Sequence, residues 1–195
     1  MAISKIDICN QALSLIGAQN VVALTDKTRE AHQCSLWYDQ ILRAVLVAHP
    51  WNFATSREAL ARVDPAARGE AYSFRYPVNC IKILWVGEEG GTRRADYHVR
   101  FTPDGQVVSA QSPAVDAVYI RAVDDTNQYS PGFVECLGLR LAVELAGSLA
   151  ADKQMQGMMF QRYSEALLRA RTQDAQEFRY VAERTGGGYE EARAT

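Results

Sequence analysis

Apolar residues recur at helical spacing in the first and last thirds of the chain and at strand spacing in the middle. Ile6, Ala12, Leu13 and Ile16 share one helical face, Ser4 is placed to cap it with Asp7 three residues on, and Gly17 is a natural stop, which predicts a helix over 3–17. Ala31, Cys34, Tyr38, Ile41, Leu42, Val45 and Leu46 step by three and four, with Thr25 or Asp26 as the candidate cap. This predicts a second helix over 26–48 that ends before Pro50.

Residues 56–63 fit neither period. Ile81–Val86 is a short apolar run of strand formers. In Tyr97–Phe101 apolar and polar residues alternate, Pro103-Asp104-Gly105 signals a hairpin, and Val107–Ala110 and Val115–Val123 follow as strands. Ser130-Pro131 opens a third helix over 131–151, in which Leu137, Leu141, Leu145 and Leu149 repeat every four residues. Met155, Met159, Phe160, Tyr163, Ala166, Leu167 and Ala170 mark a fourth over 153–172. From Gln173 the apolar content falls and Gly186-Gly187-Gly188 disfavours regular structure, so 173–195 reads as a flexible tail. The expected fold class is mainly α. It is an antiparallel bundle of about four main helices, with a small antiparallel β insertion at about 73–123 between helix pairs, forming one domain over 1–172.

Composition narrows the classes. A chain of 195 residues with 48% hydrophobic content can bury its own core without disulfides or metal. The net charge of -2, from 21 basic and 23 acidic residues, argues against a broad nucleic-acid-binding face. Cys9, Cys34, Cys80 and Cys136 form no CxxC pair and stand in apolar or amphipathic runs. They read as buried free thiols, as expected of a chain assembled in a reducing cytoplasm. Residues 1–20 lack a signal-peptide pattern and no apolar run approaches a membrane span, so a soluble, non-exported protein is expected.

Chemistry is sparse. No P-loop, dinucleotide-binding glycine pattern, HExxH or GxSxG occurs. Glu88 and Glu89 would repel phosphate from the glycines of 87–91. His32, His49 and His98 lack neighbouring metal-type ligands. The adjacent pairs Glu88–Glu89 and Glu190–Glu191 do not suit two carboxyls facing across a cleft. Arg93-Arg94 is either a solvated turn or a contact to a partner or nucleic acid. His49-Pro50-Trp51-Asn52-Phe53 either caps the bundle or supplies an aromatic anchor at a subunit interface. The candidate partner-binding residues are Trp51, Phe53, Arg93, Arg94, Phe178, Tyr180 and Tyr189, and no catalytic, metal or cofactor residue is assigned.

Several stretches, in order, resemble the tail tubular protein A family of head-to-tail adaptors in short-tailed bacteriophages. They are Ser4–Gly17, Leu24-Thr25-Asp26 with Glu30-Ala31, Trp37-Tyr38-Asp39 and His49–Ala54. Tyr76–Cys80 follows, with Tyr76-Pro77 where the family has Leu-Pro, and then Tyr129–Glu135 running on to Leu139–Ala142. His49–Phe53 and the Phe133–Ala142 run are the most specific. The resemblance spans about residues 1–172, and the C-terminal segment matches nothing in it.

The resemblance implies a structural virion protein, not an enzyme and without cofactors. It would form a homo-oligomeric, twelvefold ring under the portal protein and offer a docking site to tail or nozzle proteins. Genomic DNA would pass through its channel without sequence-specific binding. No membrane would be involved, and the protein would reside in the neck of the virion after assembly in the host cytoplasm. The C-terminal helical region would reach the portal, and 173–195 is the segment expected to order on docking, so that its deletion weakens portal binding and leaves the fold intact. Two rivals stay open. One is a virion-associated peptidoglycan hydrolase, for which Glu70 is as good a single carboxylate candidate as any other. The other is a helical regulatory or interaction module.

Overall fold

The computed structural model describes residues 3–64, 71–103 and 105–186, with the backbone alone for 178–186. The chain divides into two compact units, one formed by Met1–Phe53 with Asp124–Thr195 and the other by Ala54–Val123.

The first unit is helical. Helix α1 (Lys5–Leu15) begins at the expected cap. The Ser4 hydroxyl accepts from Asp7 N–H, and the Asp7 carboxylate accepts in return from Ser4 N–H at 2.8 Å. It ends where Gly17 takes a left-handed φ of 70°. Helix α2 (Arg29–Ala48) starts three residues later than its pattern suggests, because Thr28 caps it. Asp26 is spent on a turn before the helix, accepting from Val22 and Ala23 N–H.

Helix α3 (Pro131–Leu145) carries proline in its first turn and is capped by Ser130. It stands at the centre of the unit, packing against α1, α2 and the final helix α4 (Lys153–Gly186). That position explains a helix buried almost all round, from Phe133 through Leu137, Leu139 and Leu141 to Leu145. A wider, π-type turn over Ala146–Ala150 and a left-handed Ala151 break the chain before α4, which Asp152 caps through Gln154 and Met155 N–H. Helix α4 runs to Gly186, 14 residues beyond Thr172 where the periodicity fades. The rest of the presumed tail, 187–195, lies outside the described residues.

The second unit corrects the mainly-α expectation. Among its described residues are seven strands in two antiparallel sheets, so the fold is α+β. The strands are β1 (Thr55–Ala59), β2 (Arg62–Val63), β3 (Tyr72–Arg75), β4 (Cys80–Glu88), β5 (Tyr97–Thr102), β6 (Gly105–Ala110) and β7 (Val115–Arg121). One sheet has the order β1-β7-β4 and the other β2-β3-β6-β5. Val115, Ala117 and Tyr119 of β7, with Ile83 and Val86 of β4, share a core with Phe74 of β3 and Val108 and Ala110 of β6. This is a small sandwich with its own hydrophobic centre, not a single sheet appended to a bundle.

Two features hid it. The ambiguous 56–63 stretch supplies two strands, and β4 carries register shifts at Cys80/Lys82 and Ile83/Trp85, so its inward residues Ile83 and Val86 are three apart rather than two. Strands β5 and β6 pair antiparallel as the hairpin signal predicts, with Gly105 at φ 121°.

Candidate interaction surfaces

A cluster of aromatic and polar side chains in the helical unit lies where α2 ends. His49 leaves the helix in an extended conformation, and the next residues turn Trp51 inward. Its indole N–H donates to the Val45 carbonyl at 2.9 Å, satisfying an acceptor the helix end leaves open. Trp51 meets Phe133 edge to face at 5.2 Å and His49 at 5.0 Å; Phe53 meets Phe133 at 5.0 Å and Tyr129 at 5.7 Å. Trp51 is wholly buried within its own chain, so it is a core residue and not a surface anchor, while Phe53 is half-buried.

Asp174 of α4, itself buried, closes the same corner. Its carboxylate accepts from His49 Nε2 at 3.1 Å and from the backbone N–H of Asn52 at 3.2 Å, and its carbonyl accepts from the Asn52 side-chain amide at 2.7 Å. The Arg171 guanidinium donates to the Ala48 carbonyl. A helix turn that sequence patterning places beyond the fold is thus the clamp that holds α4 to the end of α2. The signal was a lone Asp in a weakly apolar stretch, which periodicity alone does not distinguish from a solvated residue.

Elsewhere in the helical unit, α1, α3 and α4 leave an open groove of about 940 Å³. Asp7, Gln11 and Ser14 line one wall, Arg162 the other, and Gly138 and Leu139 the floor. Hydrogen bonding to Ser4 holds the Asp7 carboxyl below the usual Asp range, so that wall is anionic at neutral pH. Large apolar side chains on α4, Met158, Phe160 and Leu168, are left exposed, Leu168 to 65%.

In the β unit, Arg57 donates to Asp116 at 2.9 Å and to the Gly91 carbonyl, and Gly90 N–H donates to the same carboxylate at 3.0 Å. This ties the β4–β5 connection to the sheet. Gly87 is required there, since a Cβ would fall 2.5 Å from the Arg93 carbonyl oxygen. Arg93 and Arg94 are both exposed on this tethered loop and belong to the β unit, whereas Trp51 and Phe53 belong to the helical one. On the β5–β6 hairpin Phe101 is 80% exposed and Val99 of the same face is also exposed. Strand β5 is the edge of its sheet. Phe101 and Val99 were legible as an alternating strand, but not as surface residues.

The side chains of Phe178 and Tyr180, and all of Tyr189 and Glu70, lie outside the described residues. Among the described residues no group of three His, Cys, Asp or Glu side chains is placed to hold a metal ion, and no helix is long and apolar enough to cross a membrane. No protein-family model matches the chain, and no curated protein matches it.

Proposed function

We propose that the chain is a structural adaptor of the head-to-tail junction of a short-tailed bacteriophage, joining a portal ring to tail proteins as one subunit of a ring. The observation that carries this reading is the ordered series of segments resembling tail tubular protein A. Its two most specific pieces, His49–Phe53 and Phe133–Ala142, are 80 residues apart and pack on each other through the Trp51–Phe133 and Phe53–Phe133 contacts. A pair of sequence matches that meet in one aromatic cluster is better support than two isolated matches, because each constrains the shape of the other.

The exposed apolar side chains also fit a subunit that is covered on assembly. Phe101 on an edge strand is a costly residue to leave in water and a standard contact for a neighbouring chain. The head-to-tail contacts of a closed ring need two different patches on one subunit, and the helical face of α4 and the β5–β6 hairpin are two such patches on separate units.

The test is negative-stain electron microscopy of the chain mixed with the portal ring encoded beside it. A collar of added density on one face of the portal, with the portal's rotational symmetry, is expected. A bare portal at several-fold excess of the chain would overturn the proposal.

A further inference from the structure

Strand β5 leaves one edge of its sheet open. It pairs with β6 alone, in a register that runs from Tyr97 opposite Ala110 to Thr102 opposite Gly105. The residues closing such a tight hairpin exchange backbone hydrogen bonds, and every second pair after them does the same. Thr102, Arg100 and His98 therefore bond to β6. The N–H and C=O groups of Tyr97, Val99 and Phe101 point the other way, to the open edge, and among the described residues no strand pairs with them.

The two faces of β5 differ in chemistry. Tyr97 packs against the sandwich core, and on the same face Val99 is 41% and Phe101 80% exposed. An apolar strip thus runs out of the core into water along the edge. His98 and Arg100 are exposed on the opposite face. Neither β5 nor β6 carries a carboxylate, and the nearest acidic residues along the chain, Asp96 and Asp104, lie outside both strands.

We propose that the open edge of β5 is a docking site for an extended segment of another protein, added to the sheet as a further strand, in which acidic side chains alternate with apolar ones. Backbone hydrogen bonds to Val99 and Phe101 would supply the pairing. The occupant's chemistry follows from the two faces, because alternate side chains of an added strand fall on opposite sides of the sheet. Those on one side would lie beside Val99 and Phe101, and those on the other beside His98 and Arg100.

A second copy offering the same edge fits poorly. Antiparallel pairing through the open positions sets Val99 against Val99 and so His98 against Arg100. Sliding the register by one pair sets Arg100 against Arg100 or His98 against His98. Every alignment opposes basic side chains with no carboxylate to answer them. The other edge of the sheet, β2, is only two residues long. Charged side chains are a common means of keeping sheet edges apart, and the same charges that bar a second β5 favour an acidic strand. The site lies within the β unit and stands whether or not the chain is an adaptor.

The experiment titrates the full chain with an end-capped eight-residue peptide in which valine and glutamate alternate. Binding is read by fluorescence anisotropy of the labelled peptide and located by amide hydrogen exchange resolved by residue in NMR. With the peptide at about ten times its Kd, the amides of Val99 and Phe101 should exchange about tenfold more slowly, since only the free chain leaves them open. Arg100→Glu should weaken binding about tenfold and admit the same peptide with lysine in place of glutamate. Phe101→Ser should weaken binding with the rest of the spectrum unchanged. No binding with the peptide in millimolar excess, equal binding of the glutamate and lysine peptides, protection confined to other strands, or dimerisation of the free chain through β5 would each overturn the proposal. The exchange map of the unmutated chain decides it even if a variant folds poorly.

Discussion

Replacing Trp51 with alanine removes the largest wholly buried side chain of the helical unit and tests whether the corner at the end of α2 is structural. Trp51 loses edge-to-face contacts with His49 and Phe133 and the hydrogen bond to Val45, and the Val45 carbonyl is left without its indole donor. Core Trp→Ala changes cost about 3–5 kcal/mol, since the transfer energy is lost and a cavity remains. Losing the hydrogen bond adds about 1 kcal/mol, so a destabilisation of about 4–6 kcal/mol is expected. Trp51→Phe keeps most of the ring packing and should cost only about 1–2 kcal/mol.

The assay is urea unfolding followed by far-ultraviolet circular dichroism for the helices and by hydrogen exchange resolved by peptide. Because the β sandwich has its own core, protection of β4 and β7 should change far less than that of α2 and α3. A loss under about 1 kcal/mol for Trp51→Ala would refute the reasoning, as would equal loss of protection in both units.

Four further outcomes follow from the same contacts. Asp174→Ala leaves the Asn52 N–H and the His49 ring without their acceptor and should cost about 2–3 kcal/mol, with faster exchange in the last turns of α4; truncation for portal-binding assays should therefore begin after Glu177, because removal from Gln173 onward deletes the clamp along with the tail. Gly132→Ala should destabilise by about 1–2 kcal/mol because its Cβ would meet Ala170 Cβ at 3.0 Å, whereas Gly138→Ala, whose Cβ would find only Gln11 at 3.9 Å, should stabilise by up to about 1 kcal/mol, both read from denaturant midpoints. The folded-state pKa of Asp7 is lowered, so its contribution is present above the unfolded-state value and is lost as pH falls through the folded one; the stability gap between the unmutated chain and Asp7→Asn should hold at neutral pH and close below about pH 4 in melts across pH. Phe101→Ser should leave the melting temperature nearly unchanged, because the side chain is mostly in water, while reducing incorporation into any ring assembled on a portal.

Local rules were enough for the helix starts and the hairpin. Ser4 with Asp7, Ser130 with Pro131 and the pairing of β5 with β6 each join residues close along the chain, and such contacts are written in the chain order. The cap of α2 shows the limit of this: Thr28 and Asp26 are both competent, and which one caps depended on whether Asp26 was needed by the preceding turn. The interaction residues divide in the same way. Aromatic content marked His49–Phe53 as special, but burial of Trp51 against Phe133, 82 residues away, made it core.

By itself the sequence determined the four helices, the presence of β5 and β7, and the absence of familiar catalytic motifs, because periodicity and capping are short-range properties. Only the tertiary structure decided that the middle third is a two-sheet sandwich. Strand pairing such as β1 with β7 joins residues about 60 positions apart, and bulges in β4 erase the period that would announce it. It also decided that α4 continues past Thr172. There one buried Asp, meeting His49 and Asn52 from the far end of the chain, holds a helix whose own turn carries too little apolar surface to predict it.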